Sequence, residues 1–313
     1  MTFGRINNAF SMTVFIAVLL LLSSTASAKL HVVTTLSDYG ALIQALGGDH
    51  VEVRVLASPL QDPHYVDAKP SFIVTLNRAD WLISNGLELE IGWLPKLVVQ
   101  SRNPRIQPGQ HGNLVVGNHV SNLLGTSQGP IDRSMGDVHP GGNPHFYNDP
   151  TRMHKLIPLF TEHLIRLDPA NKADYRNNLL KVQNQFEALL QQLSQQFQSM
   201  PPERRKVVTY HKSFEYFLQS LGLEVVAYIE PKPGVAPTPS HIAKVLSLMK
   251  QQGVRVIIQE TYYPSRTGST LASLAGATVV KLQGGTSIDQ SYIEHIRDNA
   301  SRLQKALQGE STP

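Results

Sequence analysis

Apolar and polar positions run along this chain in two rhythms. Short β-branched runs, "LHVVTTL" (30–36), "VEVRVLAS" (51–58), "DWLISNG" (80–86) and "NLVVGN" (113–118), have the length and composition of strands. Between them, "SDYGALIQALGG" (37–48) and "KPSFIVTLNRA" (69–79) read as helices. Ser37 or Asp38 is placed to cap the first and glycine to stop it. A further helix is expected over 150–166. From 206 the same grammar returns, with strands at 206–211, 224–230, 255–260 and 278–282 and helices at 213–221, 239–252, 264–275 and from Ser291 onward. Strand–helix alternation of this kind predicts a mainly parallel sheet covered by helices, here twice over.

The stretch from Asp168 to Met200 differs. Tyr175, Leu179, Val182, Phe186, Leu189, Leu193 and Phe197 recur at alternating steps of four and three, with polar residues between. No glycine or proline interrupts it after Pro169, so one helix of roughly 45 Å is expected, longer than a small domain needs. The fold class is therefore α/β, with two lobes, each a mainly parallel sheet flanked by helices, joined by one long rigid helix. The boundaries fall at 29–167, 168–200 and 201–313. A rigid connector limits hinge closure, so small lobe movements are expected.

Composition narrows the picture at three points. The chain begins with Arg5, an apolar run from Met12 to Leu22 and the small-residue pattern Ala26-Ser27-Ala28, the layout of a signal peptide cleaved after Ala28. Residues 1–28 are set aside from the fold on that reading, and export to a bacterial periplasm is expected. No cysteine occurs anywhere, which excludes disulfides, thiolate metal sites and a lipid-modified cysteine. Lys and Arg number 28 against 24 acids, with no dense basic run, so nucleic acid is excluded as a partner.

In open parallel α/β sheets, ligands bind beyond the carboxyl ends of the strands. His64 lies in the loop after 51–58, and His145 lies between two prolines in "NPHFYNDP". His211 ends the strand "KVVTYH" and Glu260 ends "RVIIQE". Facing lobes would bring two from each half to one cleft. Three imidazoles and a carboxylate make a closed shell for Zn²⁺ or Mn²⁺, which suits holding a metal rather than activating water on it. Each has a plainer reading, as a turn histidine, a strand-end hydrogen-bonding group or a helix cap. Glu230 competes for the carboxylate role and is read as part of a rigid cleft wall. His139 is close enough in sequence to assist, and Asp62 is a spare acid beside His64. His111 and His119 are expected in solvent, and His154, His163, His241 and His295 on exposed helix faces. Trp81, Trp93 and Phe214 are expected in the core.

Taken in order, "QDPHYVDAKPS", "RADWLISNGLELE", "NPHFYNDP", "YHKSFEYFLQSLGLEVV" and "IIQETYY" resemble the metal-specific solute-binding proteins of bacterial zinc/manganese ABC importers. The resemblance spans nearly the whole mature chain. It implies metal held between two lobes by His64, His145, His211 and Glu260, with Zn²⁺ as bound cargo and Mn²⁺ as the alternative, and delivery to an inner-membrane permease by a monomeric, non-enzymatic protein. Two departures stand out. The region 103–143 carries only scattered histidines where zinc-specific relatives have a long His- and Asp-rich loop. Tyr147 and Asn148 follow Phe146, and Asn148 is expected to alter the pocket's surroundings. The rival from another class is an exported zinc hydrolase. It would need an open coordination position and a general base. No HExxH or GxSxG is present, and Glu230 and Asp62 are the spare bases.

Overall fold

The computed structural model describes residues 28–126, 139–232 and 234–309, so the signal segment lies, but for Ala28, outside the described residues. The first lobe runs β1 (Leu30–Thr34), α1 (Ser37–Gly47), β2 (Val51–Val55), α2 (Pro70–Arg78), β3 (Trp81–Ser84), α3 (Leu94–Ser101) and β4 (Asn113–Val115). Helices α4 (Pro150–Leu167) and α5 (Lys172–Gln198) follow. The second lobe runs β5 (Lys206–Thr209), α6 (Glu215–Ser220), β6 (Glu224–Tyr228), α7 (Pro239–Gln252), β7 (Val256–Glu260), α8 (Ser265–Ala275), β8 (Thr278–Leu282) and α9 (Tyr292–Gln308). Each lobe is built on a four-stranded, all-parallel sheet, ordered β2-β1-β3-β4 and β6-β5-β7-β8.

The β-branched runs become strands because both faces of each sheet are covered: Val32 and Trp81 sit in register on β1 and β3, as do Ile258 and Val280 on β7 and β8, all four buried. The strands stop earlier than their apolar runs suggest. β2 ends at Val55 and β5 at Thr209, although Leu56 N–H still donates to Thr34 and Tyr210 N–H to Ile258 on the neighbouring strands. Helix α3 was not visible in the sequence. Its core "LPKLVV" has a proline in its first turn and contains Val98-Val99, a pair that reads as strand, and it ends on Arg102 in the left-handed region at φ 51°.

The connecting helix is 27 residues, about 40 Å, and starts later than expected because Pro169–Asn171 forms a separate 3₁₀ turn. Tyr175, Val182, Phe186, Leu189, Leu193 and Phe197 are all buried, while Leu179 is only partly covered. This stripe packs against α1 and α4 on one side and α9 on the other. Phe186 sits between His154 and Tyr292, with ring centroids 5.5 Å from each. One apolar core therefore runs from Val32 and Trp81 through the long helix to Val256 and Leu303. Smaller clusters fill the outer layer of each lobe.

One set of expectations is corrected. His154, His163 and His241 are half-buried rather than exposed, and His163 stacks on Trp81. His295 is wholly buried, on the inner face of α9. Its Nε2 lies 3.9 Å from Asp38 Oδ1, which accepts a hydrogen bond from Thr286 across the lobe boundary. The helical period of α9 puts His295 beside Tyr292 and Asn299, a relation that depends on which face meets the other lobe.

Burial pushes His295 down to about 4 and Asp38 up to about 7. A histidine kept neutral in the fold stabilises it above the unfolded value of 6.5 and loses that contribution as pH falls toward 4. Asp38 acts in the opposite sense: held neutral in the fold up to about 7, it adds stability as pH falls through the same window and opposes the His295 loss. The His295→Leu variant should therefore lose less stability than the parent between those pH values, read as the shift in urea midpoint. An equal loss in both would remove His295 as the cause.

Candidate metal centre

His64, His145 and His211 come together, with one ring nitrogen of each within 4.8 Å of the others. His145 and His211 are buried at 1% and 4% exposure, and His64 slightly less so at 9%. His145 Nε2 is 3.2 Å from His211 Nε2. Two nitrogens bound to one tetrahedral Zn²⁺ at about 2.0–2.1 Å would stand roughly 3.3 Å apart, so this edge already has the required length.

The other nitrogen of each ring is engaged. His64 Nδ1 donates to Asp62 Oδ1 at 2.7 Å, and His211 Nδ1 donates to Glu230 Oε2 at 2.6 Å. His145 Nδ1 lies 3.1 Å from the Tyr147 hydroxyl. Protonated Nδ1 atoms leave the Nε2 lone pairs of His64 and His211 directed inward, the arrangement by which carboxylates orient metal-binding imidazoles. Both carboxylates that the sequence offered as spare bases are thus committed to histidines. The signals were faint: a D-x-H spacing for Asp62, and for Glu230 a place two residues past the end of β6, the strand neighbouring β5.

The groups differ in charge preference. Burial, reinforced by the other imidazoles, holds His145 well below its usual range, so it stays a neutral donor. Burial opposes charge on His211 too, but the Glu230 hydrogen bond and the nearby Glu260 and Asp62 charges outweigh it and raise that group. Burial works against Asp62 as well, and its bond to His64 overrides it, so the carboxyl is held down. Asp62 Oδ2 accepts from Tyr263 across the cleft at 3.2 Å.

Glu260 lies outside the triangle of imidazoles but close enough to His211 to raise it. It is buried, with Oε1 unpartnered among the described residues, and burial raises it to about 7. His139 Nε2 sits 3.1 Å from His64 Nε2. His111 and His119 are in solvent, as expected, and Trp81, Trp93 and Phe214 are core. Asn148 donates from Nδ2 to the Ser213 carbonyl, tying the His145 turn to the second lobe.

Two parallel α/β lobes on a long connecting helix, with imidazoles converging between them, define the class of metal-binding solute-binding proteins. The family model for the periplasmic zinc-uptake complex component A, ZnuA, matches residues 32–306, and the chain belongs to that family. Among its relatives, the manganese ABC transporter substrate-binding lipoprotein PsaA of Streptococcus pneumoniae is 26% identical over 253 residues, covering 80% of this chain and 78% of its own. The high-affinity zinc uptake protein ZnuA of Bacillus subtilis is 25% identical over 291 residues, covering 89% and 88%. A ZnuA crystal structure superposes with a TM-score of 0.75 at 24% identity, over 89% of this chain and 99% of that one. FpvC from Pseudomonas aeruginosa, solved with Mn²⁺, gives 0.74 at 24% identity, over 90% and 99%. Membership makes the chain a metal-binding component of an ABC transporter, a class of carriers rather than enzymes. Zinc and manganese proteins both occur among its relatives.

Removing an outer partner of a metal-binding histidine typically costs about 10–100-fold in affinity. Glu230→Gln, which keeps size but surrenders the charge facing His211 Nδ1, should weaken metal binding within that range in a chelator competition. Unchanged affinity would show that His211 needs no such partner.

Proposed function

We propose that this chain captures Zn²⁺ in the interlobe cleft and delivers it to an inner-membrane permease from the periplasm. The observation that carries the reading is the convergence of three imidazoles whose outward nitrogens are all engaged. Imidazole suits zinc, whereas manganese favours oxygen-rich shells. Glu260 supplies the carboxylate of the set, with a buried oxygen that lacks a partner among the described residues. Its tendency to hold a proton makes it a group that ionises when a cation compensates it. Mn²⁺ is the alternative cargo, favoured if Glu260 binds through both oxygens.

The hydrolase reading loses its candidate bases, since Asp62 and Glu230 are bonded to His64 and His211. Export by a cleaved signal peptide and division at 168 and 200 complete the proposal.

The test is a competition on the mature protein, stripped by chelator and offered Zn²⁺ and Mn²⁺ together, with bound metal counted by elemental analysis. One zinc per chain is expected, with strong loss in His145→Ala and weakening in Glu260→Ala. Preferential manganese retention would change the cargo. No stoichiometric metal in the parent would overturn the site.

A further inference from the structure

The turn that carries His145 is held from both sides. On the second-lobe side, Asn143 Nδ2 donates to the Lys212 carbonyl and Tyr216 donates to the Asn143 carbonyl, at 2.9 and 2.8 Å. On the first-lobe side, Asn85 Nδ2 donates to the Pro144 carbonyl at 3.0 Å. That carbonyl belongs to the peptide unit joining Pro144 to His145. The N–H of the same unit donates to Asn143 Oδ1 at 2.9 Å. With both ends of the peptide plane bonded, it cannot rotate, and the direction in which His145 leaves the backbone is fixed.

Asn85 is well placed for this. It follows β3 directly and is wholly buried. Its N–H donates to Glu90 Oε1, its carbonyl accepts from Gly117, and Oδ1 accepts from Tyr39 at 2.6 Å. Nδ2 also faces the Gly86 carbonyl at 3.2 Å. Flipping the amide would set Oδ1 against two carbonyls and Nδ2 against a hydroxyl donor, so the network determines its orientation.

The chain leaves Asn85 through Gly86, Leu87 and Glu88, three successive residues in the left-handed region at φ 80°, 52° and 63°. Such a run is costly for Leu87 and Glu88 and persists only when over-determined. The buried Glu90 carboxylate supplies that determination, accepting from Asn85 N–H, Gly86 N–H and the Thr35 hydroxyl.

We infer that Asn85 is a positioning residue for metal capture: through the Pro144 carbonyl it sets the angle at which His145 meets His211. The inference rests on the metal-binding reading above. It also accounts for the prolines around His145, which restrict the turn while Asn85 selects its orientation.

The test compares Asn85→Ala with Asn103→Ala in the full mature chain. Asn103 is a buried asparagine of the same lobe, remote from the cleft, donating to the Leu76 and Ala79 carbonyls and accepting from Arg105 N–H. Both variants should lose thermal stability. Only Asn85→Ala should weaken Zn²⁺ binding, by about tenfold or more, and alter the d–d absorption of the Co²⁺-loaded protein, which reports ligand geometry directly. Parent-like affinity and Co²⁺ spectrum in folded Asn85→Ala, or equal loss of affinity in Asn103→Ala, would overturn the inference. Should Asn85→Ala fail to fold, Tyr39→Phe removes only the bond that orients the amide. It should shift affinity and spectrum in the same direction, and no shift would overturn the inference. A parent protein that binds no stoichiometric metal would instead bring down the binding reading beneath it.

Discussion

Three imidazoles with lone pairs facing one point are held together here against their own preferences. Their Nε2 atoms crowd one another, His145 and His211 at 3.2 Å and His64 and His139 at 3.1 Å, and neutral acceptors at that distance repel unless a proton lies between them. Each ring is restrained from behind, by Asp62, Tyr147 or Glu230, and His145 is further restrained at its own peptide plane. On the proposed reading, affinity for a cation follows from this restraint, because ordering the donors has been done by folding rather than left to the metal.

The continuous core explains how restraint can cross a cleft between two lobes. The long helix buries its apolar stripe against both, and the 143–148 turn bonds directly to residues 212 and 213 of the second lobe. His145 and His211 therefore behave as one rigid pair. His64 is attached differently. Its loop reaches the second lobe through the single Asp62–Tyr263 contact among the described hydrogen bonds, while Trp93 donates to the Pro63 carbonyl within its own lobe.

Much of this was legible in the sequence. Strands and helices follow from runs of β-branched residues and from three-four spacing, since both sheets are covered on both faces. His64, His145 and His211 stood out because parallel sheets gather ligands at strand ends. What was not legible depends on non-local packing. His295 occupies a polar-looking position on an amphipathic helix, and only the packing of that helix against α5, β8 and α1 buries it. Helix α3 is short and carries strand-like valines, so its state is decided by burial of Leu94, Leu97 and Val98. Asp62 and Glu230 looked like spare acids, because the partner of a carboxylate has no signature along the chain.

The sequence by itself determined the two-lobe α/β plan, the connecting helix and the chemical type of the donors, because these rest on local periodicity and residue identity. The tertiary structure alone decided which nitrogens face inward, that Glu260 stands outside the tight group of imidazoles, and that Asn85 reaches the peptide before His145. Those outcomes depend on distances between residues dozens of positions apart, and such distances are set by how sheets and helices pack rather than by any local pattern.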